Sequence, residues 1–169
     1  MAKYLEHDGQ GGSKEVQPIN TSAGAGDAGS MVQLNVGGHI DETMLPPGIG
    51  ADTATLEATE DLTAGDMVNI WNDAGTAKVR KANSTTNGVE ANGFTLVSAA
   101  AGVSVEVYFG GTNNQLVGMT PGTRQYLDVT SGLITETSPA ASGNIVQVVG
   151  KSFSATEMTF EAMMPIELV

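Results

Sequence analysis

The sequence predicts an all-β protein: a small antiparallel β-barrel or sandwich-like domain at residues 54–169, preceded by an extended glycine-rich N-terminal arm at residues 1–53. Three observations lead there. Of 169 residues, 40% are hydrophobic but only 5% aromatic and 15% charged, leaving Gly, Ala, Ser, Thr and Asn as the balance, a composition suited to thin, closely packed strands and turns. Long amphipathic helices usually carry a Glu/Lys-rich outer face, whereas this chain has seven Lys and Arg in all. Beyond Ala54 the texture becomes short alternating apolar runs separated by turn residues, the spacing of a barrel or sandwich.

The clearest strand is Val103-Ser104-Val105-Glu106-Val107-Tyr108-Phe109, whose period of two places Val103, Val105, Val107 and Phe109 on one face. Further strands are predicted at 55–58, 67–71, 77–80, 93–97, 125–129, 133–135, 145–149, 158–162 and 166–169. Breakers separate them: Asn72-Asp73-Ala74-Gly75, Thr86-Asn87-Gly88, Gly110-Gly111-Thr112-Asn113-Asn114, Pro121-Gly122, Ser131-Gly132 and the segment 138–143. Glycine and asparagine supply the positive φ of tight hairpins, so the connections read as mostly antiparallel. Short helices of a turn or two are possible at 56–64 and 152–158.

The arm is punctuated by glycine, and its apolar residues occur singly or in short groups, with one short strand expected near 31–36. Alone, such a segment buries too little to offset its ordering entropy. Tyr4, Leu5, Val16, Ile19, Met31, Leu34, Met44 and Leu45 are the candidate protein-contact anchors of an extended peptide laid across another subunit.

Net charge is −12 and the pI near 4.2, which argues against direct nucleic-acid binding, since phosphate contacts need grouped cations. Only Lys78, Arg80 and Lys81 cluster, and they read as the solvated side of a strand. With no cysteine there are no disulfides, thiolate metal sites or thiol nucleophiles. The first residues lack the apolar core of a signal peptide, and no stretch approaches the ~20 apolar residues of a membrane helix. No membrane partner is expected.

Catalytic chemistry is hard to place. Both histidines, His7 and His39, fall in the arm, and His39-Ile40-Asp41-Glu42 reads as a solvated turn. Gly24-Ala25-Gly26-Asp27-Ala28-Gly29 has the letters of the dinucleotide fingerprint, but no apolar strand precedes it and no helix follows. Glu57, Glu60, Asp61 and Asp66 read as a charged turn flanking a strand, and Trp71 as a partly buried core or interface anchor. The Met163-Met164-Pro165-Ile166 run reads as a core or interface strand segment. The expectation is a protein with no catalytic, cofactor or metal site.

Leu62-Thr63-Ala64-Gly65-Asp66-Met67-Val68-Asn69-Ile70, Lys78-Val79-Arg80-Lys81-Ala82, Ala91-Asn92-Gly93-Phe94 and Ala101-Gly102-Val103-Ser104-Val105-Glu106-Val107 together resemble the β modules of tailed-bacteriophage capsid decoration, or cement, proteins. The pattern continues through Leu116 to Gly122, Tyr126-Leu127, Ser131 to Thr135 and Ile145 to Gly150, about two-thirds of the chain. The resemblance implies a structural virion protein on the outer capsid surface, assembled in the host bacterial cytoplasm. Its implied partners are the major capsid protein, whose neighbouring subunits it bridges, and copies of itself, often as a trimer. The alternative is a tail-fibre or adhesin-type module binding host-surface glycan, which would call for exposed aromatic clusters, and only Trp71, Tyr108 and Tyr126 are available to form them.

Overall fold

The alternation of small apolar and polar residues resolves into fourteen strands and two single-turn 3-10 segments in a computed structural model that describes residues 3–45 and 52–169. The chain divides into two compact units, Met1–Gly50 and Ala51–Val169. The run 46–50, assigned from sequence to the arm, lies outside the described residues.

The N-terminal unit departs from the extended arm the sequence suggested. Strands β1 (Tyr4–His7) and β2 (Ser13–Val16) form an antiparallel hairpin with Tyr4 opposite Val16. Asp8 carries its turn, its Oδ1 accepting from the amides of Gln10 and Gly12. The strand expected near 31–36 is a single parallel bridge, Ile19 to Val32. Gly37 and Gly38 break that run, and Asn35 Oδ1 closes the turn by accepting from Gly37 and His39 amides.

In the C-terminal unit, β3 (Thr53–Ala58), β4 (Met67–Asp73), β5 (Thr76–Lys81), β6 (Gly93–Phe94) and β7 (Ser104–Tyr108) close into a barrel in the order β3-β5-β4-β6-β7. All its pairings are antiparallel except β3 with β5. The expected alternation holds in β7, where Val105 and Val107 are buried between exposed Ser104 and Glu106. They fill the barrel with Ala58, Leu62, Val68 and Val79, small side chains matched to a narrow five-stranded interior. The possible helix at 56–64 does not form: β3 runs through Ala58, and Leu62 then bridges Ala99.

A second sheet takes β8 (Gly111–Asn113), β9 (Arg124–Leu127), β10 (Ile134–Thr135), β12 (Val148–Ser152) and β13 (Met158–Phe160) in the order β10-β9-β12-β13-β8. Between β10 and β12 in the chain, β11 (Ile145–Val146) pairs instead with β14 (Ile166–Glu167). The Gly110 to Asn114 run is thus a strand at its centre, fixed by pairing with β13 and by burial of Asn113. The possible helix at 152–158 is a reversal between β12 and β13.

Met67, Ala82, Ala91 and Phe94 from the barrel side pack with Leu127, Val149, Met158 and Phe160 from the second sheet in one dry cluster. Phe94 stacks on Tyr108 with centroids 5.5 Å apart and meets Phe160 at 5.4 Å. Backbone hydrogen bonds stitch the same seam: Met67 N–H donates to Gly132 O at 2.8 Å, Gly132 N–H to Ala82 O at 2.7 Å and Ile145 N–H to Ser84 O at 2.7 Å.

Two glycine-dependent points give predictions. The β4–β5 hairpin turns through Ala74 (φ 51°) and Gly75 (φ 93°), the conformation in which Asn-Gly is preferred and an alanine Cβ is strained. Ala74→Asn should therefore raise stability by up to about 1 kcal/mol, read as a higher denaturation midpoint. In two-residue β6, a Cβ on Gly93 would sit 2.6 Å from Tyr108 O and 2.8 Å from Val107 Cγ1, so Gly93→Ala should cost about 1–3 kcal/mol. Gly110→Ala, with nothing within 4 Å of its Cβ, is the control and should leave thermal unfolding nearly unchanged.

Candidate assembly surfaces

Apolar side chains in the N-terminal unit have no dry interior to enter. Among the described side chains of residues 3–45, none is buried. Of the eight candidate anchors, Tyr4 and Val16 share one face of the hairpin and are half-buried. Leu5 lies opposite Glu15 and is 72% exposed. Ile19 and Met44 come together, with Ala28 and Val32, around a shallow depression that also takes Ser22 and Asp27. Met31, Leu34 and Leu45 stay exposed. Local hydrogen bonds therefore set the conformation: Asp27 Oδ2 accepts from Ala23 N–H at 2.6 Å, and the amides of Ile19 and Gln33 donate to Met31 O and Ile19 O at 2.9 and 2.8 Å. Asp41 accepts from both the hydroxyl and the amide of Thr43, which holds its carboxyl below the ordinary range.

The C-terminal unit exposes a second apolar strip. Beyond β13 the chain returns along β11 and β12, with Met163 N–H donating to Val148 O and Leu168 N–H to Asn144 O. Buried Gln147 fixes this return, accepting from Ala91 N–H at 2.8 Å and donating to Ala91 O and Met163 O. Met163, Met164 and Ile166 project to solvent, Met164 at 87% exposure. The sequence reading of this run as a core or interface strand is thus narrowed: it is a surface strand, and Pro165 precedes its two-residue pairing segment.

The polar residues singled out from sequence are engaged separately. Glu57 pairs with Lys78 at 3.0 Å, Asp66 with Lys81 at 3.5 Å, Glu60 accepts from Lys81 N–H and Asp61 from Ala101 N–H. Lys78 also meets Asp73 at 3.0 Å, and Asp73 followed by Glu57 holds its ammonium pKa above the ordinary lysine value. Arg80 donates to Asn69 Oδ1 and Gly88 O and lies 5.1 Å over the Trp71 ring. The Lys78, Arg80 and Lys81 cluster is therefore a set of bonded, partly buried cations rather than a solvated strand face. Trp71 is half-buried, as expected of an anchor, and its indole N–H is buried without a partner. Tyr108 packs against Phe94, whereas Tyr126 lies on the outer side of the second sheet, so the three aromatics form no common platform.

His7 Nδ1 accepts from Gly9 N–H inside the first hairpin, and His39 closes the Asn35 turn. Among the described residues, no group of three or more His, Asp and Glu converges on a metal-sized site, and no helix is long and apolar enough to cross a membrane. No protein-family model and no curated protein matches the chain.

One convergent polar cluster escaped the sequence reading. Glu136 Oε1 accepts from Thr120 N–H, Thr123 Oγ1 and Gln125 Nε2, while Ser152 Oγ donates to Thr120 O at 2.6 Å. The Thr120 amide is the main influence lowering the Glu136 pKa, and the carboxylate serves as an acceptor that ties the 120–123 turn to β9 and β12. A pKa depressed on folding contributes stability above the ordinary carboxyl range that is lost as pH falls through that range. Glu136→Gln should lower the melting temperature at neutral pH, with the gap to wild type narrowing below the ordinary glutamate range. A gap that is independent of pH would remove the charge from this account.

Proposed function

We propose that this chain is a non-enzymatic structural protein that works by packing on other protein subunits. The observation that carries the reading is the N-terminal unit, in which no described side chain of residues 3–45 is buried although Leu5, Met31, Leu34 and Leu45 are exposed. A segment of this kind gains most of its apolar burial on a partner, so its order and its affinity rise together. The exposed Met163, Met164 and Ile166 strip adds a second patch of interface character.

Following its resemblance to capsid decoration proteins, the partner is the major capsid protein of a tailed phage, with neighbouring subunits bridged on the outer surface of the virion by a homo-oligomer. The strongly acidic chain suits that place, since a net charge of −12 discourages contact with nucleic acid and keeps a high-copy protein soluble.

The test is addition of the purified protein to emptied, expanded capsids. Binding should raise the temperature at which they break, and Leu34→Ser should weaken binding by about tenfold while leaving the barrel folded. Residues 51–169 alone should stay folded and lose most capsid affinity. Unchanged capsid stability together with adhesion to host cells or glycans would replace this reading with the adhesin one.

A further inference from the structure

The seven cations of the chain are distributed unevenly. Lys3 pairs with Glu15, Lys14 with Glu6, Lys78 with Glu57 and Asp73, and Lys81 with Asp66, while Arg80 is held by Asn69, Gly88 O and Trp71. Arg124 and Lys151 remain, with no acidic side chain within ion-pair distance of either among the described residues. They are directly opposite each other, Arg124 on β9 and Lys151 on β12. The row continues across the sheet through Thr159 on β13 to Thr112 on β8. All four side chains are exposed, whereas their strand neighbours Gln125, Ser152, Met158, Phe160 and Asn113 are buried. Tyr126 and Val148, half-buried, form the next cross-strand pair on the same face. Glu161, two residues past Thr159, makes no ion pair with either cation.

Like charges directly opposite on adjacent strands, with Cβ atoms about 5 Å apart, repel and weaken the sheet. Elsewhere this molecule surrounds its cations with acceptors, and it has 19 acidic residues from which to do so. Two adjacent uncompensated cations, with a tyrosine and two threonines on the same face, form a locally positive row complementary to carboxylates; the Thr159 hydroxyl itself donates to Lys151 O at 3.3 Å.

We propose that the Arg124, Lys151, Thr159 and Thr112 row is a self-association surface, occupied by exposed carboxylates of a second copy of this chain. Charge complementarity selects that occupant: the copy carries a large excess of acid, and any two-fold arrangement with the row on its axis would set cations against cations. The contact is therefore heterologous, the row of one copy meeting a different, acidic surface of the next, which closes into a ring when the rotation allows it. This deepens the assembly reading above and rests on it only for the role of the resulting oligomer, not for its existence.

Sedimentation of the full chain, with the double variant Arg124→Gln/Lys151→Gln beside it, tests the surface. Wild type should associate at micromolar concentration and dissociate as salt rises, and the double variant should associate at least about tenfold more weakly. At a concentration where both proteins are monomeric, the double variant lacks the repulsive pair and should melt at an unchanged or higher temperature, a result that separates lost association from lost folding. Arg124→Glu/Lys151→Glu should be at least as weak in association. A wild-type chain that stays monomeric, or a double variant that associates as wild type does, overturns the proposal. If the variant keeps its oligomeric state yet no longer binds expanded capsids, the row faces the capsid rather than a copy: the self-association proposal then fails while the assembly reading stands. If wild type associates through the row but leaves capsid stability unchanged, the reverse holds.

Discussion

Strand β4 belongs to two cores at once, and the C-terminal unit depends on it. Its first residue, Met67, points into the cluster shared with the second sheet, and its second, Val68, into the barrel. Period-two alternation lets one strand do this only if both faces are covered. The barrel alone holds six small buried side chains, and the second sheet has one dry side and one wet side. Each supplies what the other lacks. Phe94, next to β4 in the barrel, is the largest fully buried side chain of the joint cluster, and it meets an aromatic ring from each side. The Met67 amide, donating to Gly132 O, adds a directional bond where the apolar contact is non-directional.

Buried polar side chains at that seam are hydrogen-bonded, Ser84 Oγ excepted. Asn113 Nδ2 donates to Gly65 O, Gln147 spans both backbone groups of Ala91, and Asp66 accepts from Thr63 N–H while meeting Lys81. Each of these side chains sits where a strand ends and would otherwise leave backbone groups buried and unpaired. The low charge content of the chain is consistent with this: Asn, Gln, Ser and Thr do at the seam what ion pairs would do less cheaply in a dry place.

Much of the strand pattern was legible because it is written in local alternation. β7 shows a buried valine at every second position, and β4, β5, β9, β12 and β13 overlap the runs predicted from apolar spacing and flanking turns. What escaped was set by tertiary pairing. Gly111-Thr112-Asn113 has the composition of a turn and becomes β8 because Met158 to Phe160 offer it an edge, with Asn113 buried as a hydrogen-bond donor rather than as an apolar residue. The parallel β3–β5 pairing has no local signature, since β5 is also the second strand of the β4–β5 hairpin, whose turn reads as antiparallel. In the N-terminal unit, Asp8 and Asn35 turns organise residues whose scattered apolar pattern suggested an extended peptide.

The candidate surfaces divide the same way. Of the eight apolar residues named from sequence, Leu5, Met31, Leu34 and Leu45 are exposed, because a segment so rich in glycine offers little interior, while Tyr4, Val16, Ile19 and Met44 are half-buried. The Arg124 and Lys151 row could not, since the two residues are separated by 26 intervening positions and meet only through the β9–β12 register, one step beyond the bulge that places Gly150 against Gln125. That bulge matters for the surface as well as for the fold. An extra residue between Val148 and Gly150 lets both Val149 and Gly150 face inward, where a side chain on Gly150 would collide with Thr159 O and Met158 Cε. It thereby returns Lys151 to the outer face beside Arg124. A regular ladder would keep Val148 and Gly150 on one side and put Lys151 on the other, under the sheet with Leu127, where an unpaired ammonium is costly. The placement of two like charges side by side in solvent is thus coupled to the close packing of β12 on β13.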